Sequence, residues 1–498
     1  MDPNKQIKKK KLGVKLPVYF LSLILVATVA AGVTFIFTKG NQLSFANRGT
    51  GSDESESTQV ITDLNTVPGS KNIQAVYEII LSNYIEDISE EDLIEGALSG
   101  MVNAIDDPYS QYLNIEETET MDETISASFE GIGAEIMSMN DQIVIVSPIK
   151  GAPAEAAGLL PNDIVLKADG VSLAGMTATE AVALIRGERG TTVTLEIQRG
   201  SQTLTVDIVR DTIPIETVAY ELSEENSEIG IVSVFSFARP TYDEIVSAVE
   251  DLRGQGAKKF VFDYRQNPGG LLDQSLKIGN MFVEDGAVLL QTEEKNGNPY
   301  IIKASDKEYG EFQVTEPSVM LIDEGSASAS EIIAGIMKEE ANVPLVGMTT
   351  FGKGTVQSIY PLTEDSELKL TVAKWLTPAG NWIHGEGISP DYEVEMPAYA
   401  FLTIIDSSAT YELGAVSEAV KNVEHMLSAV GYSLVADGYY DYDTSEAIYQ
   451  FQSDNALAQT GEMDEETSVK LVSELRAAIS ENDTQLNKAL ELLESMSD

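Results

Sequence analysis

Along the chain the spacing of apolar residues changes character several times, and each change predicts a different kind of element. Residues 16–37 are an almost unbroken apolar run, about the ~20 residues a helix needs to cross a bilayer. Residues 40–70 are small and polar with no sustained period, which reads as a flexible stalk. Helical spacing follows, with Val76, Ile79 and Ile80, then Leu93, Ala97, Leu98, Met101 and Val102, predicting two or three helices that form a cap. Between residues 125 and 210 the pattern is that of short strands and turns: strands at 142–147 and 191–199, a turn region at 152–158 and a helix at 177–185. Residues 213–396 alternate strands with helices, as a mixed α/β core does. Two of its strands, 259–264 and 318–322, are continuous apolar runs that predict burial, and each feeds a loop and then a helix start. Residues 417–479 return to helical spacing through Val423, Met426, Leu427, Ala447, Ile448 and Phe451, and residues 481–498 read as a solvated acidic helix or tail.

Charge changes this picture at the N-terminus. The chain holds 32 Lys plus Arg against 80 Asp plus Glu, a balance that repels phosphate backbones and argues against a nucleic-acid partner. Six lysines, from Lys5 to Lys15, nevertheless stand before the apolar run. The positive-inside rule then keeps residues 1–15 cytoplasmic, makes 16–38 a single-pass anchor in the cell membrane and sends the remainder outside. The run is longer than the roughly 7 to 15 apolar residues of a signal-peptide core, which favours an uncleaved anchor. With no cysteine, the exported part folds without disulfides, and a thiol nucleophile is excluded. With only His384 and His425, no pair of histidines shares a helix face to bind zinc, and no cofactor or metal is expected.

The candidate chemistry lies in two loops, Gly325-Ser326-Ala327-Ser328-Ala329-Ser330 and Phe351-Gly352-Lys353-Gly354-Thr355-Val356-Gln357. A serine at a helix start and a lysine in a glycine-flanked loop are the parts of a hydrolase in which lysine takes the proton. Such a lysine must be neutral, so desolvation has to lower its pKa from about 10.4. Gly352 and Gly354 allow close packing, and Phe351 and Val356 offer apolar cover. The second requirement is a pair of backbone donors for the oxyanion: the N–H of Ala329 at the positive end of a helix, with Gly269 or Gly270 supplying the other. Spacing alone does not choose among Ser326, Ser328 and Ser330. A Ser-His-Asp triad would have to use His384, in a glycine-rich turn. A phosphate loop is argued against by Gly354, which stands where Ser or Thr should ligate magnesium, and by the strand pattern that follows.

Three resemblances add to this reading. Phe129-Glu130-Gly131-Ile132-Gly133-Ala134-Glu135-Ile136, with the strands and helix that follow, resembles a PDZ domain over residues 122–211. The resemblance implies that Gly131, Ile132, Gly133 and Ala134 form a loop whose N–H groups capture a peptide's C-terminal carboxylate, the peptide adding a strand to the sheet edge. The stretch from Asp437-Gly438-Tyr439-Tyr440-Asp441 to Thr444, echoed by Gly461-Glu462-Met463-Asp464 and Thr467, resembles a small helical peptidoglycan-binding repeat, here residues 415–480. Gly-Ser-Ala-Ser-Ala-Ser-Glu with Phe-Gly-Lys-Gly-Thr-Val-Gln resembles the carboxyl-terminal processing, or tail-specific, proteases of peptidase family S41, and helical cap (72–121), PDZ domain and α/β core (212–397) in that order resemble the same family. That resemblance implies Ser328 as nucleophile, Lys353 as general base and Gln357 as its orienting partner, leaving Ser326 as a cap and Ser330 as a small packing residue. In the family the glycine turn often reads Asp-Leu-Arg-Asn-Asn-Pro-Gly-Gly; here it is Asp263-Tyr264-Arg265-Gln266-Asn267-Pro268-Gly269-Gly270, with the glycines kept.

The expected fold is therefore multidomain: an α+β protein whose mixed α/β protease core carries a PDZ domain and a helical cap, with a small all-α C-terminal domain, a linker at 39–71 and a transmembrane helix. The expected function is a membrane-anchored extracytoplasmic serine endopeptidase that selects protein or peptide substrates by accessible, apolar C-termini. Peptidoglycan is a further expected partner, a homo-oligomer is an open option, and the anchor and wall-type module point to a Gram-positive bacterium. The alternatives are a non-catalytic envelope scaffold that binds C-terminal peptides and cell wall, and an amidase or esterase of cell-wall material.

Overall fold

The computed structural model describes residues 68–496 apart from 140, 296, 298, 364, 365, 404 and 406–408, so the apolar run at 16–38 and most of the stalk lie outside it. Among the described residues no helix is long and apolar enough to cross a membrane.

The α/β core is built on a six-stranded sheet in the order Val218–Leu222, Ile229–Val234, Lys259–Asp263, Ser318–Ile322, Leu345–Gly347 and Tyr392–Glu393. All neighbours pair in parallel except the first two. Strands of a parallel sheet are buried on both faces, and side chains alternate between them. One face carries Val232, Val234, Phe260, Phe262, Met320 and Ile322, packed against Ile245, Val249 and Leu252 of helix Thr241–Gln255, Leu276 of helix Leu272–Asn280, and Ile333 and Ile336 of helix Ala329–Glu339. The other face carries Ile229, Ile231, Val261, Val319, Leu321 and Val346.

What covers that second face corrects the expectation of a solvated tail. Helix Thr484–Ser495 lays Ala489, Leu490 and Leu493 on it, with Leu486 alongside. This spacing puts the apolar residues on one helical stripe while the acidic ones face water, so an acidic composition and a buried face coexist. The junction is sealed by Arg265, whose guanidinium binds the carboxylates of Asp263 (2.6 Å) and Asp483 (2.7 Å) and the Gln485 amide oxygen at 3.1 Å.

A second, antiparallel sheet joins Gln111–Leu113, Glu367–Leu376, Val288–Glu294 and Tyr300–Lys303, with Thr355–Pro361 also paired to Glu367–Leu376. Its first strand comes from the N-terminal segment, which otherwise forms helices Ser70–Asn83, Glu90–Asn103 and Ile115–Ser126. The segment read as a helical cap thus also contributes a strand to the sheet that carries the lysine loop. The third of these helices leads into a two-stranded ladder, Ser128–Gly131 with Asp211–Pro214, through which the chain enters and leaves the next module side by side.

That module is a sheet ordered Ala134–Met139, Gln142–Pro148, Ile164–Ala168, Thr192–Arg199 and Gln202–Val209, closed by helix Ala178–Ile185 over its own core of Ile143, Ile145, Val165, Leu195 and Ile197. Helices Glu418–Ala429, Tyr442–Asp454 and Glu465–Glu481 form a small all-α unit around Val423, Leu427, Tyr440, Ile448, Phe451 and Leu471. Two of its helices start alike: Asp441 caps Thr444 N–H at 3.0 Å and Asp464 caps Thr467 N–H at 2.9 Å, so the repeated Asp-x-x-Thr is a repeated N-cap.

Candidate active site

The serine loop runs from the buried strand Ser318–Ile322 into helix Ala329–Glu339. Ser326 and Ser330 are spent on the scaffold. Ser326 Oγ donates to the Tyr264 carbonyl at 2.8 Å and accepts from Asp323 N–H at 2.9 Å, and Ser330 Oγ donates to the Asn267 carbonyl at 2.9 Å. Both therefore tie the serine loop to the glycine turn after Lys259–Asp263, and Ser326 does so as a crosslink and not as a helix cap. Ser328 occupies the N-cap itself, at φ 55° and ψ −110°. A residue with a side chain adopts such a conformation at a cost of roughly 1–3 kcal/mol, and strain of this kind is kept where the surroundings over-determine it.

What over-determines it is Glu331, a fully buried carboxylate one turn into the helix. Its Oε2 accepts from the N–H of Ser328 and the N–H of Lys353, both at 2.8 Å; its Oε1 accepts from Thr350 Oγ1 at 2.6 Å and the N–H of Gly352 at 2.7 Å. Burial pushes this carboxyl up from its usual range while the four donors work against that rise. Thr350 Oγ1 itself accepts from Ile388 N–H at 2.7 Å, so its proton is left to face Glu331. One side chain thus fixes the main chain of the serine loop relative to the lysine loop. The one sequence signal for Glu331 is Ser328-x-x-Glu331, a capping-box spacing.

Lys353 is wholly buried. Burial, helped by the nearby charge of Lys369, brings its pKa down from 10.5 to about 7, against the opposing pull of Glu331 and Asp107. Both tryptophans of the chain hold its loop: Trp375 Nε1 donates to the Lys353 carbonyl at 2.9 Å and Trp382 Nε1 to that of Gly354 at 3.0 Å. Gly352, at φ 89°, lies so close to the Gly385–Gly387 backbone that a Cβ would stand 3.0 Å from three of its nitrogens. Phe351 is not the apolar cover expected of it, since its side chain turns outward and is 47% exposed. The aromatic cover comes from Tyr109, whose ring centroid is 4.9 Å from Lys353 Nζ. Sequence reasoning had no local signal for Tyr109, which is more than two hundred residues away.

Gln357 is buried beside this loop, its Nε2 donating to Thr355 Oγ1 at 3.0 Å and Thr371 Oγ1 at 3.1 Å. Gly269 adjoins the serine: at φ 101°, a Cβ there would lie 2.7 Å from the Ala327 carbonyl, 2.9 Å from Ser328 Cβ and 3.0 Å from Ala329 N. Its own N–H is donated to Asn267 Oδ1 at 2.9 Å. Gly270 packs instead against Phe237, where a Cβ would meet the carbonyl oxygen at 2.2 Å. His384 accepts from Gly354 N–H through Nδ1 at 3.3 Å and stacks on Trp382, so it stands beside the lysine loop. Among the described residues no group of acidic or imidazole side chains is arranged to hold a metal ion.

In the inserted module, Ile132 is buried in its core and Gly133, at φ 72°, approaches Ala152 so closely that a Cβ would lie 2.3 Å from the alanine methyl. The strand that follows, Ala134–Met139, is an edge of its sheet. The stem of the module reaches the catalytic turn: Met121 and Ile125 pack with Leu113 and with Leu271, the residue after Gly270.

Known proteins match nearly the whole chain in sequence. The profile of peptidase family S41 matches residues 228–394, a PDZ domain matches 144–199, the N-terminal domain of the activating protease CtpB matches 27–118 and a peptidoglycan binding domain matches 416–471. The chain is 42% identical over 472 residues to "Carboxy-terminal processing protease CtpA" of Bacillus subtilis (strain 168), covering 95% of this chain and 97% of that one. It is 36% identical over 491 residues to a "Probable CtpA-like serine protease" of Staphylococcus saprophyticus, covering 98% and 96%. Among solved structures, the photosystem II D1 C-terminal processing protease is 26% identical, with a TM-score of 0.39 over 67% of this chain and 89% of that one. The chain is a carboxy-terminal processing serine protease belonging to peptidase family S41, with PDZ and peptidoglycan-binding domains.

Proposed function

We propose that this protease works through a Ser/Lys dyad, with Ser328 as nucleophile and Lys353 as general base. The observation that carries the reading is the Glu331 carboxylate, which holds the main-chain N–H of both residues while the Lys353 side chain is wholly buried. Neutral Lys353 Nζ takes the proton as Ser328 Oγ bonds to the scissile carbonyl carbon. The oxyanion that forms faces the N–H of Ala329, at the positive end of helix Ala329–Glu339, and the N–H of Gly270, because that of Gly269 is already given to Asn267. Collapse of the tetrahedral intermediate breaks the C–N bond, and the lysine ammonium gives its proton to the leaving amine. Water then attacks the acyl-enzyme with Lys353 again as base, releasing the new C-terminal carboxylate and restoring Ser328. Gln357, with both amide protons committed to threonine hydroxyls, has its carbonyl oxygen left to orient the ammonium. Gly269 serves by letting the turn approach Ser328.

The reading extends to substrate choice. The edge strand Ala134–Met139 and the tight turn at Gly131, Ile132, Gly133 and Ala134 suit addition of a peptide strand that ends in a free carboxylate. The packing of Met121 and Ile125 on Leu271 is a route from that module to the oxyanion turn. The apolar run at 16–38, outside the described residues, is read as the anchor that holds the catalytic part on the outer side of the cell membrane.

The test is cleavage of an unfolded protein with an apolar C-terminus, from pH 5 to 10, by wild type, Ser328→Ala and Lys353→Ala. Loss in both variants, with wild-type rate rising through about pH 7 as Lys353 becomes neutral, is the expected result. Undiminished cleavage by either variant overturns the dyad.

A further inference from the structure

The turn at residues 107–110 belongs to the N-terminal segment, yet its side chains end at the lysine of the catalytic core. It is knotted on itself. Ser110 Oγ donates to Asp107 Oδ2 at 2.6 Å, Tyr109 N–H to Asp107 Oδ1 at 3.2 Å, and Ser110 N–H to the Asp107 carbonyl at 3.2 Å. The same Ser110 hydroxyl accepts from the N–H of Thr371 at 3.0 Å, and the next three residues form a ladder on strand Glu367–Leu376, with Gln111 opposite Lys369, Tyr112 opposite Leu368 and Leu113 opposite Glu367. Thr371 is also the residue whose hydroxyl holds Gln357. The latch fixes where the tyrosine between Asp107 and Ser110 stands: over Lys353 Nζ, its ring also edge-on to His384 at 6.2 Å.

Resting on the Ser328/Lys353 reading, we propose that Tyr109 is a positioning residue for the general base, clamped over Lys353 Nζ by the Asp107–Ser110–Thr371 latch. A base amine needs water kept away while neutral and a favourable surface when it carries the proton. An aromatic face supplies both, because the ring excludes water and its negative quadrupole attracts the ammonium. Of these two effects exclusion of water is the larger, because burial disfavours the charged amine by more than the ring face restores. The other charged or titratable groups near Nζ are Lys369 from strand Glu367–Leu376, Glu331 from helix Ala329–Glu339, Asp107 from the turn itself and His384 from the facing loop. The N-terminal segment therefore completes the active site, and a core lacking it would present its lysine to water.

The experiment is the rate at which a fluorophosphonate probe labels Ser328 in the full chain between pH 5 and 10. For wild type the rate is expected to rise with a midpoint near pH 7. In Tyr109→Ala the midpoint moves up by a unit or more, which lowers the rate at pH 7 by about fivefold or more, because the neutral fraction falls from about a half to about a tenth. Tyr109→Phe, which keeps the ring face, restores the wild-type profile. Ser110→Ala, which cuts the latch without touching the ring, moves the midpoint in the same direction by less and guards against a misfolded Tyr109→Ala. An unmoved midpoint in Tyr109→Ala overturns the proposal, whether the rate is unchanged or lowered equally at every pH. Absence of Ser328 labelling in wild type at any pH overturns the Ser328/Lys353 reading itself, and this inference with it.

Discussion

At Glu331 and Lys353 the active site sets two buried ionisable groups against the stability of the core. Glu331→Gln keeps the volume but puts an NH₂ where one oxygen now accepts two donors, leaving either the Ser328 and Lys353 N–H groups or the Thr350 hydroxyl and Gly352 N–H facing a donor. The expected outcome is a folded enzyme with kcat reduced at least 10²-fold, on the scale of one misdirected oxyanion donor, measured on a peptide substrate. Lys353 opposes stability in a way that depends on pH. Its folded-state pKa, near 7, lies below the unfolded value of about 10.5. The unfolded chain therefore binds more protons between these values, and this group alone makes stability rise with pH across that window. Lys353→Met is expected to be inactive yet more stable at pH 7, by about 3–5 kcal/mol, with the gain vanishing above about pH 10. Denaturant midpoints at pH 7 and pH 10 check it; equal shifts at both would show that the lysine is not held neutral. The two loops that hold Ser328 and Lys353 were legible in the sequence as a serine stretch at a helix start and a lysine between glycines. Tyr109 was not, because a tyrosine in a turn has no local feature that names a lysine so far along the chain.

Elements show the same division. Phe260–Phe262 and Val319–Ile322 alternate between two apolar faces, so a strand buried on both sides was readable from their unbroken runs. The first cover followed from the α/β pattern, whereas the second was missed because the acidic composition of the C-terminal segment hid a stripe of Leu486, Ala489, Leu490 and Leu493. Leu490→Ala is expected to cost about 2–4 kcal/mol in the catalytic unit, read by urea unfolding. Asp483→Ala, which removes one of the two carboxylates on Arg265, should lower activity as well as stability, because the same arginine begins the turn that carries Gly269. A variant with normal activity and lowered stability would confine Asp483 to docking the helix.

For the molecule as a whole, the ladder of Ser128–Gly131 with Asp211–Pro214 makes the PDZ module an insertion whose ends meet, Gly131 lying opposite Asp211. Replacing residues 132–210 with a two-residue hairpin turn should leave the catalytic fold intact. Activity is expected to fall on proteins selected by their tails and to be much less affected on a small ester; equal loss on both would mean that the module does not select substrates. The N-terminal segment reaches the lysine loop, and the segment before the C-terminal helix binds Arg265 in the glycine turn, although these parts are far apart in sequence.

Residue chemistry and apolar periodicity are local properties, and from them the sequence by itself determined the α/β core, the serine and lysine loops and the exclusion of a thiol nucleophile. Which serine hydroxyls are consumed by the scaffold, which carboxylate joins the two loops, which aromatic ring covers the lysine and which helix closes the sheet were decided only in the tertiary structure. Each depends on a contact between distant segments, and a hydrogen bond or a buried face acquires its partner only when the chain has brought both sides together.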